Sequence, residues 1–253
     1  MNLTLKQKLV NKETSIGSWV TISNHNIVHL LSEANFEFLV IDMEHTSIDF
    51  EELSILITVI KSYNISPIVR VSKCEESVIK RALDLGAEGI ISPMINSLKE
   101  ALDLVSYVKY PPYGKRGVGL NKAQNFGFGF EKYLEWLKNE VIIIAQIENI
   151  TGVDNIEEIV SISDIDGVLI GPYDLTSSLN IPGEFNHPLY QDSINRIKKS
   201  CNRNHKSLGI HQIEPDGNKV NTLIKQGFNF IPFSVDFKFL SIKATEEMGK
   251  IKL

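Results

Sequence analysis

The chain of 253 residues carries 26 Lys and Arg against 31 Asp and Glu, with 43% of its residues hydrophobic. That balance suits one sizeable core, with 1–253 read as a single domain, and excludes a disordered chain or a coiled coil. A net charge of -5 supplies no basic field for nucleic acid or anionic lipid, so a small-molecule partner is expected.

The chain opens MNLTLKQKLVNKETS, without a basic segment leading into an apolar run, and no stretch reaches the length of a membrane span. Neither export nor membrane insertion is expected. Strand-like runs rich in Val and Ile then recur at 16–20, 38–45, 66–72, 89–95, 141–149, 166–175, 207–213 and 230–236. Polar segments with helical spacing separate them. In EESVIKRALDLG the residues Val78, Ala82 and Leu85 share one face and Gly86 offers a stop; SLKEALDLVSYV and LYQDSINRIKKSCNRN read the same way. Eight βα units of this size predict an α/β fold, a single-domain (β/α)₈ barrel (TIM barrel). An open doubly wound sheet is the alternative, but no strand leads into G-x-G-x-x-G. One segment, 110–133, breaks the rhythm with Gly, Pro and aromatics, and its length makes it a candidate cover for the barrel mouth. Cys74 and Cys201 stand far apart, which gives no disulfide framework or zinc knuckle and fits a reducing compartment, the cytoplasm.

Polar residues gather where the runs end, which is where a barrel keeps its chemistry. The second run ends Asp42-Met43-Glu44-His45: Asp42 and His45 form either an acid–base dyad or a polar cap on the next helix. Arg70 closes an apolar run, where its charge needs an anion, either a substrate oxygen or an internal salt-bridge partner. In the fifth run Gln146 and Glu148 are two apart and point to one side; in the sixth, Gly171-Pro172-Tyr173-Asp174 brings a further carboxylate past a turn. Glu148 and Asp174 would together suit a divalent cation of the Mg²⁺ or Mn²⁺ kind, although each also reads as a cap or salt-bridge member. Trp19 serves either a pocket wall or the core, and His211 either the mouth or a hydrogen-bonded interior position.

Taken in order, GSWV, IDMEH, VRVS, YPPYGKRGVG, AQIEN and IGPYDL resemble the HpcH/HpaI aldolase family over nearly the whole chain. The family comprises metal-dependent class II pyruvate aldolases; the citrate and malyl-CoA lyases are a more distant fit. The resemblance implies a (β/α)₈ barrel, commonly a hexamer built as a trimer of dimers, that cleaves a 4-hydroxy-2-oxo acid to pyruvate and an aldehyde with Mg²⁺, Mn²⁺ or Co²⁺. It implies Glu148 and Asp174 as metal ligands, His45 paired with Asp42 as base, and Arg70 on the pyruvyl C2 oxygen. Gln146 would support the same end, and the backbone at Gly171 and Tyr173 would meet the carboxylate. Lys122 departs from the arginine common at its position, and Tyr173 replaces a small residue. These departures bear on the choice of substrate rather than on the reaction class. Competing readings are oxaloacetate decarboxylation or acyl-CoA cleavage through the same enolate, and a non-catalytic barrel. A barrel needs neither the Asp42–His45 pair, Arg70 nor the two carboxylates for packing, which favours an enzyme.

Overall fold

The computed structural model describes residues 3–252. Eight strands, β1 (Ser15–Val20), β2 (Phe38–Asp42), β3 (Ser66–Arg70), β4 (Gly89–Ser92), β5 (Ile142–Ile147), β6 (Gly167–Ile170), β7 (Ser207–Ile210) and β8 (Phe230–Val235), pair in parallel in chain order and close from β8 onto β1. The expected (β/α)₈ barrel is what the chain forms. Helix α1 (Leu5–Val10) precedes β1, and α2 (His25–Ser32), α3 (Phe50–Ser62), α4 (Glu76–Asp84), α5 (Leu98–Val108) and α6 (Phe130–Asn139) lead from β1 to β5. Two short helices, α7 (Ile150–Asp154) and α8 (Ile156–Val160), precede β6; α9 (Pro172–Ser178) and α10 (Pro188–Arg203) precede β7. Helix α11 (Gly217–Lys225) precedes β8 and α12 (Asp236–Met248) follows it.

Period-two alternation divides each strand between two cores. Phe38 and Val40, Ile68, Ile142 and Ile144, Leu169 and Phe230 fill the barrel interior, with Leu5 and Leu9 of α1 in the same cluster. Leu39, Ile41, Val69, Ile143 and Ile170 face the helices instead. Phe38 and Phe230 stack with ring centroids 4.4 Å apart, and Gly17 makes room for them, since a Cβ there would lie 2.3 Å from the Phe38 ring. Continuing each inward series toward the mouth gives Asp42 after Val40, Arg70 after Ile68, Gln146 and Glu148 after Ile144, and Gly171 after Leu169. The alternation that packs the core therefore aims the polar residues into one opening.

The strands are shorter than the apolar runs suggest. The second ends at Asp42 rather than His45, and the sixth at Ile170, because Pro172 cannot donate to a ladder and instead opens α9. Gly86 follows α4 at φ 106°, in the left-handed region where glycine is at ease. The buried face of that helix centres on Ile79, Ala82 and Leu83, with Val78 and Leu85 at its margins. The 110–133 excursion does not cover the mouth. Arg116, fully buried, ties it to Asp84 at the end of α4 (2.6 Å) and to the Tyr133 hydroxyl of α6 (2.9 Å). Lys122 donates to the Ser54 carbonyl of α3 at 2.7 Å, so the segment lies against the outer helices.

Candidate active site

A cleft of about 170 Å³ opens at the C-terminal end of the strands, and Trp19, His45, Arg70, Gln146, Glu148 and Asp174 all line it. A larger cavity, about 1000 Å³, lies between α1 and the N-terminal strand ends. Most of its charges are already paired, as in Lys6 with Asp166 at 2.6 Å and Lys61 with Glu88 at 3.0 Å. The convergent chemistry is at the mouth.

Asp42 and Arg70 are direct neighbours in the β2–β3 register, and their side chains meet. Arg70 Nε donates to Asp42 Oδ1 at 2.9 Å and Nη2 to Oδ2 at 2.8 Å, a bidentate arrangement that fixes the plane of the guanidinium. Its other face lies over the Trp19 ring, 4.3 Å from the centroid. Arg70 thus has both an internal partner and a position on the cleft. The Asp42 carboxylate, 3% exposed as a residue, is occupied by Arg70 and by the Glu44 and His45 backbone N–H groups rather than by the His45 ring. That ring is 65% exposed and lies 3.7 Å from Glu44 Oε2.

Glu148 follows β5, and both of its oxygens are held: Oε1 accepts from the Met94 N–H at 2.8 Å and Oε2 from Gln146 Nε2 at 2.5 Å. Met94 reaches it from a left-handed backbone at φ 54°, a conformation unfavourable for a side chain of that size. Burial raises the Glu148 pKa, and the two donors oppose that rise. Asp174, in the first turn of α9, is exposed on the same cleft. Gly171 stands between them; a Cβ there would meet Glu148 Oε2 at 2.8 Å.

Among the described residues no group of three or more His, Cys, Asp and Glu is gathered as a metal cage. The donor set nevertheless fits a hard divalent cation that keeps water or substrate ligands. Two carboxylates face one cleft, Gln146 Oε1 is buried without a partner beside them, and Gly171 leaves the space open.

Two further groups stand at the mouth, one that a reading of the sequence passes over and one that it leaves open between the mouth and the interior. Glu44 lies with Oε2 3.3 Å from Arg70 Nε, and burial, outweighing the guanidinium, pushes its carboxyl up to about 7. Its place within Asp42-Met43-Glu44-His45 is the only signal for it. His211, just past β7, lies with its ring 5.3 Å from Trp19; burial is the main reason its pKa falls to about 4, so the ring is neutral at ordinary pH. Arg116 is confined to the outer layer and does not reach the cleft.

The sequence profile of the HpcH/HpaI aldolase/citrate lyase family matches residues 15–242. The hydroxypyruvate/pyruvate aldolase of Roseobacter denitrificans is 34% identical over 238 residues, covering 94% of this chain and 92% of that one. The 2-keto-3-deoxy-L-rhamnonate aldolase of Escherichia coli (strain K12) is 30% identical over 252 residues, covering 98% and 92%. A family protein of known structure from Burkholderia cenocepacia superposes with a TM-score of 0.91 at 28% identity, over 98% of this chain and 99% of that one. With a profile match that takes in all eight strands, and relatives aligned along almost their full lengths, the chain belongs to the HpcH/HpaI aldolase/citrate lyase family, whose relatives here are carbon–carbon lyases.

Proposed function

We propose that this carbon–carbon lyase of the pyruvate aldolase class cleaves a 4-hydroxy-2-oxo acid reversibly, giving pyruvate and an aldehyde through a pyruvate enolate. The observation that carries the reading is the convergence on one cleft of a fixed guanidinium, Arg70, and two carboxylates, Glu148 and Asp174. Breaking the C3–C4 bond leaves negative charge on the pyruvyl C2 oxygen, and a donor already oriented there stabilises the charge without reorganisation. Arg70 is that donor, its plane held by Asp42 and its far face by Trp19.

Glu148 and Asp174 would hold a divalent cation, Mg²⁺, Mn²⁺ or Co²⁺, which when bound supplies Lewis-acid charge to the pyruvyl oxygens. Gln146 would orient the same end of the substrate, and the backbone at Gly171 and Tyr173 would meet its carboxylate. His45, exposed at the mouth, would take the proton of the substrate's 4-hydroxyl as general base. Asp42 would act on His45 through the backbone of the intervening turn, since its carboxylate accepts from the His45 N–H and not from the ring.

The test is pyruvate release from a panel of 4-hydroxy-2-oxo acids, measured with the protein stripped by a chelator and then resupplied with Mg²⁺, Mn²⁺ or Co²⁺. Release that follows the metal supports the reading, and release unaffected by chelation overturns it.

A homo-oligomer, a hexamer built as a trimer of dimers, and a cytoplasmic location belong to the same proposal. Exposed Phe126 and Phe128 on the outer excursion, with Phe237 and Leu240 on α12, are apolar groups that a second copy would cover. No helix among the described residues is long and apolar enough to cross a membrane. Light scattering on the purified protein gives the mass of the assembly.

A further inference from the structure

The cleft that receives the pyruvyl group adjoins a second opening of about 480 Å³, and Trp19, His45, Arg70, His211 and Ile213 line both. If the first holds the pyruvyl half, the second holds the half that leaves as the aldehyde. Its polar walls are largely committed. The Thr21 hydroxyl donates to Asp236 at 2.5 Å, the Thr46 hydroxyl donates to the Asp42 carbonyl, and Lys238 is paired with Glu214. Two of the residues that line both openings each carry a buried nitrogen without a hydrogen-bond partner, Trp19 Nε1 and His211 Nε2. A buried polar nitrogen left unpaired is costly, and a water or a substrate group that reaches it removes that cost.

The segment that follows His211 is held from behind. Ser234, in a left-handed backbone at φ 53°, donates from its N–H to the Gln212 carbonyl at 2.6 Å and from its hydroxyl to the Ile213 carbonyl at 2.9 Å. The Trp19 ring fixes the imidazole from the side.

We propose that His211 Nε2 hydrogen-bonds a hydroxyl group on the aldehyde half of the substrate, making this enzyme selective for short hydroxyaldehydes over apolar ones. A hydroxyl both donates and accepts, so it satisfies Nε2 in either ring tautomer, whereas a methyl group leaves both Nε2 and Trp19 Nε1 unpaired. A carboxylated aldehyde is a poorer match, because Lys238 is already neutralised by Glu214. Burial keeps the imidazole neutral, which suits a hydrogen-bonding role and leaves proton transfer to other groups. The inference rests on the aldolase reading of the cleft.

The test runs aldol addition with protein supplied with Mn²⁺, using pyruvate with either glyceraldehyde or propanal, alongside solvent deuterium exchange into the pyruvate methyl group. In His211→Phe, which keeps a ring against Trp19, the glyceraldehyde-to-propanal ratio of kcat/KM should fall about tenfold, mainly through the glyceraldehyde KM, with exchange changed by less than about threefold. His211→Gln should recover part of the ratio. His211→Leu makes the same comparison if phenylalanine does not fit. An unchanged ratio in a variant that exchanges pyruvate normally overturns the proposal, as does an equal loss on both aldehydes and in exchange, the mark of a packing role. Wild-type protein that neither exchanges nor condenses pyruvate would instead remove the aldolase reading, and this inference with it.

Discussion

Asp42 and Arg70, the last residues of β2 and β3, stand opposite one another in the sheet and are joined by two hydrogen bonds of 2.9 and 2.8 Å. The pair orients the guanidinium at the cleft, and Arg70 also shields the buried carboxylate. Arg70→Ala should therefore lower both pyruvate methyl exchange and aldol cleavage by about 10²-fold or more, the scale of losing one preorganised oxyanion donor. It should also destabilise the fold by on the order of 3 kcal/mol, because Asp42 stays buried without a countercharge. Arg70→Lys should not restore the rate, since an ammonium cannot reproduce the two-point contact. Exchange at the wild-type rate in folded, metal-supplied Arg70→Ala would leave the pair a purely structural one.

Gly171→Ala isolates the geometry of the proposed metal position. Backbone angles of φ -94° and ψ 95° suit alanine, so the substitution brings no conformational strain of its own. The new Cβ would, however, lie 2.8 Å from Glu148 Oε2 and 2.9 Å from Glu148 Cβ, forcing the carboxylate to move. The expected result is a large loss of divalent-cation affinity by calorimetry and of cleavage rate, with a melting temperature lowered by only a few degrees. Wild-type affinity would show that Glu148 is not a ligand.

His45→Ala should reduce the cleavage rate while leaving cation binding unchanged, because the exposed ring is assigned to the substrate's 4-hydroxyl proton. Asp42→Asn should reduce the rate less directly, by loosening both Arg70 and the turn that carries His45. Loss of cation affinity in His45→Ala, with the metal-saturated rate intact, would reverse the assignment.

Glu44 gives a pH dependence of stability with a definite sign. Its carboxyl, held up at about 7 by burial against an ordinary 4.5, keeps a proton in the folded chain that the unfolded chain has already released. Between those values the folded state binds more protons, so its contribution to stability falls as pH rises. In chelator-treated protein Glu44→Gln should flatten the decline in melting temperature between pH 5 and about 7.5 and raise the melting temperature at the upper end. A melting curve as steep as wild type across that window would place the titration elsewhere.

Much of this architecture is legible in the sequence, because period-two alternation and helical spacing are local signals. Eight Val- and Ile-rich runs give the barrel, and the spacing of Gln146 and Glu148 gives their common side. Contacts made across the sheet are not legible. The Asp42–Arg70 bond depends on the register of two strands whose partners lie 28 positions apart, and the Met94 N–H reaches Glu148 only through an unusual backbone angle. The 110–133 excursion misleads because its Gly, Pro and aromatic content describes an irregular segment without saying where it lies. The buried ion pair of Arg116 with Asp84, helped by Lys122 on the Ser54 carbonyl, fixes it to the outer layer. His211 is visible as a residue at a strand end, but its unpartnered nitrogen becomes visible only when its neighbours are known.

A metal-dependent pyruvate enolate is the central step of the proposed reaction, and deuterium exchange into the pyruvate methyl group, followed by NMR without any aldehyde present, addresses that step alone. Exchange should stop on chelation, return with Mg²⁺, Mn²⁺ or Co²⁺, and fail to return in Glu148→Gln. Exchange that persists through exhaustive chelation, together with a borohydride-reducible adduct between pyruvate and a lysine, would contradict it and assign the chemistry to a Schiff base.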